Sequence, residues 1–311
     1  MSAQNQPPAG AVADLPVAAT VTAAFASVAG QLGLVAQAAK GAVALLVAAT
    51  LLSLVLPAGG VGNFFLVLAS FAATAHFGLN WCRVMLLGPQ GLPPRALAWR
   101  QPHWQFLGYG LLLFFIMLLS TLPMTALGSL IAAVLGVSAA SGDAGPQTVI
   151  VLLLVFLGMI YVVARFGFVF PAVAVEEGYS LRLAWQHTAG QSGRLMAALF
   201  AAGFPLAIAQ LLLTLLLLEG LLGVSLSDVL PTLPQPDQPP TAAEMIDAEP
   251  PSTVAVLVFD VVSAAFNFLC FAVLFSLLSL AFRTCTGWVP AAGGNLPRVP
   301  EENDRDGDAR S

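Results

Sequence analysis

Long apolar runs, separated by short polar or Gly/Pro-rich breaks, dominate this chain. The runs fall at about 41–57, 61–81, 105–135, 148–171, 195–218 and 253–282. A helix crosses the hydrocarbon core of a bilayer with ~20 apolar residues at about 1.5 Å each, so every run predicts a spanning helix, the first of them short. The breaks carry their own signals. Pro57 to Gly60 ends the first run, because proline and glycine are poor at continuing a helix. Trp81, Cys82 and Arg83 close the second, an aromatic followed by a charge being the pattern of a membrane exit. Pro123 and Pro205 lie inside the third and fifth runs as expected kinks. The pattern predicts an all-α fold, a polytopic transmembrane helical bundle of about six spans plus interfacial amphipathic helices, occupying residues 17–286.

Two segments are helical in pattern without being spans. Residues 17–39 are rich in Ala and Gly, contain Gln31 and Gln37, and lead into Lys40. They are expected to lie at the interface or to line the inner end of the bundle, a seventh span being the alternative. In the second, Ser180 is placed to cap a helix in which Leu181, Ala184, Trp185 and Thr188 recur on one face while Arg182, Gln186 and Gln191 lean elsewhere. That helix is expected in the interface, with Trp185 at headgroup depth. Residues 1–16 and 287–311 are expected to be disordered tails, and 219–252, with seven prolines, six acids and no basic residue, an acidic outside loop.

Composition agrees with the pattern. Hydrophobic residues make up 58% of the chain and charged residues 9%, with a mean hydropathy of +0.88. Soluble domains carry about 25% charged residues, so a water-exposed surface is hard to build from this chain. The formal charge of −5 comes mainly from the acidic loop and tail. The eleven basic residues decide orientation. Lys40, Arg83, Arg95, Arg100, Arg165, Arg182, Arg194, Arg283, Arg298, Arg305 and Arg310 all fall on the side of the two termini, and the opposite connections hold none. Basic connections stay inside the cell, which places both termini in the cytoplasm. Residues 1–16 lack the pattern of a signal peptide, so the first spanning helix is expected to act as its own insertion signal.

Few polar groups fall within the runs. Asp260 and Asn267 lie seven residues apart on one helical face. An ionisable group at that depth is costly unless paired or hydrated, so this face either lines a substrate or proton path or makes a packing contact near the outer interface. Arg165 is placed to pair with Glu176 or Glu177, or, with Arg182 and Trp185, to hold a lipid phosphate at the inner interface. His76 and Asn80, four residues apart, predict a polar interhelical contact. With three histidines, three cysteines lacking CxxC spacing and no HExxH, no metal site is expected. GxSxG, Walker-type and GxGxxG motifs are absent, so neither a catalytic set nor a cofactor is indicated. Scattered basic residues beside a membrane give no nucleic-acid footprint.

The run from Arg165 through Pro171, Ala172, Glu176, Ser180, Ala184, Trp185 and Thr188 to Gly190, together with the exit Ala281-Phe-Arg283, resembles a segment of bacterial inner-membrane proteins. It is similar to the membrane domain attached to some glycerophosphodiester phosphodiesterases and to the related YciC-like proteins. The resemblance implies a six-helix bundle in the bacterial inner (plasma) membrane. It does not imply phosphodiesterase chemistry, because the hydrolytic barrel of those enzymes is a separate domain and is missing here. The resulting expectation is a structural or accessory component of envelope or membrane-complex organisation. Membrane lipids, and a membrane protein docking through the helix at 180–190, are its expected partners. The alternative is a transporter or lipid-handling protein with Asp260 and Asn267 along its path. A membrane-embedded enzyme would require Arg165, Glu176, Glu177 and His187 to converge on one cleft.

Overall fold

A computed structural model describes residues 14–55, 60–134, 145–222 and 253–289. The expected N-terminal tail, the acidic loop and the C-terminal tail lie almost wholly outside the described residues. Nine α-helices are described: α1 (Val17–Gly30), α2 (Leu32–Val55), α3 (Gly60–Leu87), α4 (Gln101–Val134), α5 (Gly145–Phe166), α6 (Val169–Ala174), α7 (Leu181–His187), α8 (Ser192–Leu222) and α9 (Thr253–Thr286). Six of them, α2, α3, α4, α5, α8 and α9, are long and apolar enough to cross a membrane. The chain is therefore a polytopic transmembrane helical bundle.

The spans associate as three antiparallel hairpins, α2 with α3, α4 with α5 and α8 with α9. α3 joins them, packing also on α4 and α9, and α5 meets α8. Burial is concentrated at one end, where Arg83, Arg100, Arg165, Arg194 and Arg283 also lie, and which is called the basic end below. In α8 the buried side chains Leu195, Ala198, Leu199 and Ala202 all fall in the first turns, while Phe204, Ile208, Leu211, Leu212 and Leu216 are exposed. Among the described side chains of α9 the buried set begins at Phe268 and runs to Cys285. Toward the opposite end the hairpins present apolar faces, which cost nothing against lipid tails.

Two devices make the basic end compact. The Trp81 side chain is fully buried, and its indole N–H lies 2.9 Å from both the Ala272 carbonyl and the Ser276 hydroxyl of α9. Expected as an interfacial anchor, Trp81 is instead an interhelical tie, because α3 continues beyond Arg83 to Leu87 and carries the indole below the surface. Gly78, one turn earlier, sits where α3, α4 and α9 cross. A Cβ there would lie 2.7 Å from the Phe275 ring and 2.8 Å from the Phe106 ring.

Several boundaries differ from the hydropathy pattern. The 17–39 segment divides at Gln31. α1 buries Thr20, Ala24 and Val28 on one face against α8 and α9, whereas the first span already starts at Leu32. At its start the Leu15 N–H donates to the Gln191 side chain (3.3 Å), and Gln191 donates to Asp14 (3.1 Å), which also pairs with Arg194 (2.7 Å). Gln191 is thus buried and not turned outward. The run expected to end at Pro171 stops at Phe166 and is followed by α6. Every α6 residue except Phe170 is buried, in contact with α3, α4 and α9. Cys82, Cys270 and Cys285 are free thiols.

Replacing Trp81 by Phe keeps most of the apolar volume and removes the donor. The expected loss is on the order of 1 kcal/mol, read as a lower midpoint of unfolding in a fixed detergent, with Trp104→Phe, an exposed tryptophan, unchanged.

Candidate functional site

The polar groups of the basic end form a layer around the connection 88–100. α4 starts with a reciprocal cap: the His103 N–H donates to the Arg100 carbonyl (3.0 Å), and the Arg100 N–H donates to His103 Nδ1 (3.1 Å). The side-chain bond is the N3 half of a capping box, with histidine in the place of Glu or Gln. Because Nδ1 accepts, the ring proton sits on Nε2, which is buried without a partner among the described residues. His76 of α3 stacks on this ring at 4.9 Å and on Trp99 at 5.8 Å. Its Nε2 lies 2.8 Å from the Ala96 carbonyl and 3.1 Å from the Asn80 side-chain amide. A carbonyl only accepts, so His76 Nε2 carries its proton. Asn80 Nδ2 faces that nitrogen and Oδ1 is buried without a partner among the described residues, so the amide is assigned in the flipped sense, its oxygen to His76 and its NH2 group to the other side. Gly41 of α2 makes room: a Cβ there would fall on the His76 ring and the Ala96 carbonyl.

The predicted His76–Asn80 contact therefore exists, but within one helix. What crosses between helices is the ring stack with His103. Two adjoining cavities open beneath the connection. One, of about 180 Å³, is lined by Asn80, Arg83, Arg100 and His103 with Gln90 and the stretch 91–94, and the other, of about 270 Å³, by Gln37, Lys40 and Asn80 with Leu92, Pro93, Pro94 and Ala96. Among the described residues no carboxylate lines either.

The segment after α6 arranges a second group. Glu176 N–H donates to Val173 O (3.1 Å) and Glu177 N–H to Ala172 O (3.1 Å), the two bonds of a Schellman closure. Glu176 occupies the left-handed position at φ 61°, where glycine is usual. This backbone turns the Glu176 carboxylate to Arg83 (3.1 Å) and not to Arg165. Arg165 is buried instead with its guanidinium 3.6 Å from the centre of the Trp185 ring, a cation–π contact. Thr188, fully buried, sets its hydroxyl 2.9 Å from the Ala184 carbonyl and 3.2 Å from the Arg165 carbonyl. The expected Arg165–Glu pair is thus replaced by Arg83–Glu176. Arg182, on α7, is exposed. Ser180 caps α7 as anticipated, accepting from the Leu183 N–H at 3.3 Å.

A third group lies beside an open cleft of about 530 Å³ between α4 and the 173–180 turn, lined by Tyr109, Glu177 and Tyr179 among others. Tyr109 donates to the Tyr179 carbonyl (3.1 Å), and the Tyr179 hydroxyl is 2.5 Å from His187 Nδ1. Burial pushes the Glu177 carboxyl above its ordinary range, partly offset by a hydrogen bond from Trp288. Burial also raises the Tyr179 phenol, and the Glu177 charge adds to it. The four groups of the enzyme reading do not share this cleft: Glu177 lines it, while Arg165 and Glu176 are engaged elsewhere. Among the described residues no three His, Cys, Asp or Glu side chains converge as metal ligands would.

No family model, curated protein or solved structure matches this chain.

Asp260 and Asn267 both lie on the exposed side of α9. Ser263, between them in sequence, is half-buried, and its hydroxyl is buried without a hydrogen-bond partner among the described residues. Asn267 lies fourteen residues into α9, about 21 Å from its start at 1.5 Å per residue. Sequence reasoning singled out neither His103 nor Arg83 as a site residue. Only the fold, which sets the connection 88–100 over α3, brings them together.

The left-handed Glu176 yields a graded prediction. Glu176→Ala loses the ion pair and keeps the strained backbone, whereas Glu176→Gly loses the pair and relieves the strain. The glycine variant is expected to unfold later than the alanine variant by about 1 kcal/mol, measured by thermal unfolding in one detergent. Glu177 supplies a pH test. Its raised pKa means that the folded state binds the proton more tightly, so its contribution is lost as pH rises from 4.5 through the raised value. Glu177→Gln is expected to flatten that part of the stability profile.

Proposed function

We propose that this protein is a non-catalytic component of membrane-complex organisation in a bacterial inner membrane, with the basic end and both termini in the cytoplasm. The carrying observation is the polar stripe formed by the exposed Asp260 and Asn267 on the outward side of α9. A side-chain amide at that depth loses its hydrogen bonds to water, and a neighbouring helix can restore them. The fold supports this reading in a second way. The hairpins are clasped at the basic end and leave their other halves uncovered, so a partner protein's transmembrane helix can pack on α9 without disturbing the core. The helix at 181–187 is a weaker docking element, because its Trp185 ring already covers Arg165.

In the transport reading the same stripe lines a path. Its residues face out of the bundle, so a second wall would have to come from another molecule, and the accessory reading is preferred.

The test is mass spectrometry of the protein extracted gently into lipid nanodiscs, with an unrelated six-span protein as control. A stoichiometric protein partner is expected with wild type and is expected to be lost with Asn267→Leu, whose apolar side chain suits lipid. Recovery of the same partner by that variant, or of no partner by wild type, sinks the proposal. Loss of a solute flux in Asp260→Asn with partner recovery intact would instead favour transport.

A further inference from the structure

The cavity beneath residues 88–100 carries an inference separate from the α9 stripe. Its two guanidinium groups and its imidazole offer donors, beside the amides of Asn80 and Gln90. His103 is 3% exposed and its Nε2–H has no partner among the described residues. Asn80 is likewise 3% exposed; its Nδ2 lies 3.1 Å from His76 Nε2 and its Oδ1 is buried without a partner among the described residues, and because His76 Nε2 donates to the Ala96 carbonyl we assign the amide the opposite way, with its NH2 group to the cavity. Arg83 gives one guanidinium nitrogen to Glu176 at 3.1 Å and leaves its Nε–H buried and unpartnered. Arg100 forms no ion pair among the described residues and lines the same space. Lys40 lines the adjoining cavity across Pro93 and Pro94.

Buried donors without acceptors are costly, and natural structures satisfy them with water, an ion or a ligand. Two guanidinium groups, an imidazole N–H and an amide NH2, without a lining carboxylate, match an oxyanion. A cavity of about 180 Å³ equals the liquid volume of roughly six waters, enough for a tetrahedral group and part of its hydration. The residues around it also suit a headgroup. The cavity opens where α3 and α4 leave the apolar zone, with Leu92 and Pro93 as an apolar wall, so a phosphate could enter while its acyl chains stay along the uncovered helix faces.

We propose that Asn80, Arg83, Arg100 and His103 form a phosphate-binding site at the basic end, filled by a phospholipid headgroup or by free phosphate. Arg83 and Arg100 supply the charge, His103 and Asn80 the directional hydrogen bonds. His76, through its bond to the Ala96 carbonyl and its stacking on His103, positions the connection and the second imidazole. The site needs no partner protein and is independent of the proposed function.

The experiment uses the full-length protein, delipidated in a maltoside detergent. Its unfolding temperature is followed as phosphatidylglycerol or inorganic phosphate is added, and bound lipid is counted by native mass spectrometry. Phosphatidylglycerol is expected to raise Tm and to remain bound. Arg100→Gln removes an exposed side chain and leaves the backbone cap intact, so the variant is expected to fold and to bind roughly tenfold more weakly. Arg100→Lys is expected to recover part of the loss, and Arg95→Gln, which removes an equal charge outside the cavity, to bind as wild type does. His103→Phe keeps the ring stack and is expected to weaken binding similarly. A shift produced by inorganic phosphate with the same dependence on Arg100 supports the site and assigns it to free phosphate. No shift with either probe overturns the proposal, as does binding by Arg100→Gln equal to that of wild type or of Arg95→Gln.

Discussion

A chain that reverses direction inside an apolar layer must satisfy its own backbone, because lipid offers no hydrogen bonds. The segment from Gly167 to Glu177 is where this protein meets that constraint, and the rest of the bundle is arranged around it. Gly167 closes α5 with a bond to Val163 at 2.7 Å, α6 follows at once, and the Schellman bonds of Glu176 and Glu177 close its far end. The result is a six-residue plug of apolar side chains, all buried except Phe170. α3, α4 and α9 pack on it, so burial is dense at this end and sparse beyond it.

The plug also explains the distribution of charge. Its left-handed exit carries Glu176 to Arg83 and leaves Arg165 without a carboxylate. Arg165 tolerates burial because a delocalised guanidinium is less strongly hydrated than an ammonium and can lie on an aromatic face, here Trp185. Short-range backbone geometry thus selects which arginine is neutralised. Arg95 and Arg100 at the connection 88–100 form no ion pair among the described residues, and the buried imidazoles beside them have fixed tautomers because Nδ1 of one and Nε2 of the other are already committed.

Much of this architecture was legible along the chain. Six spans, the Ser180 cap and the gathering of the described basic residues at one end follow from run length, residue type and loop charge. Each depends on local sequence or on transfer to lipid, which are properties of segments taken singly. The short α6 was not legible. Its residues are as apolar as those of α5, so hydropathy resumes after Arg165 and Gly167 and runs through both helices. The Glu176 closure was equally hidden, since glutamate is not the residue that normally marks a left-handed helix end.

By itself, then, the sequence determined the class of the protein, the number of its spans and the end on which its positive charge gathers, because solvent transfer acts on each segment independently. Tertiary structure decided which polar groups meet. Trp81 passed from surface anchor to buried tie, Arg165 found a ring and not an acid, and His76 and Asn80 were joined by His103, Arg83 and Arg100 around one cavity. Such pairings arise between segments distant in sequence, and their energies depend on separation and direction in space, which no hydropathy pattern encodes.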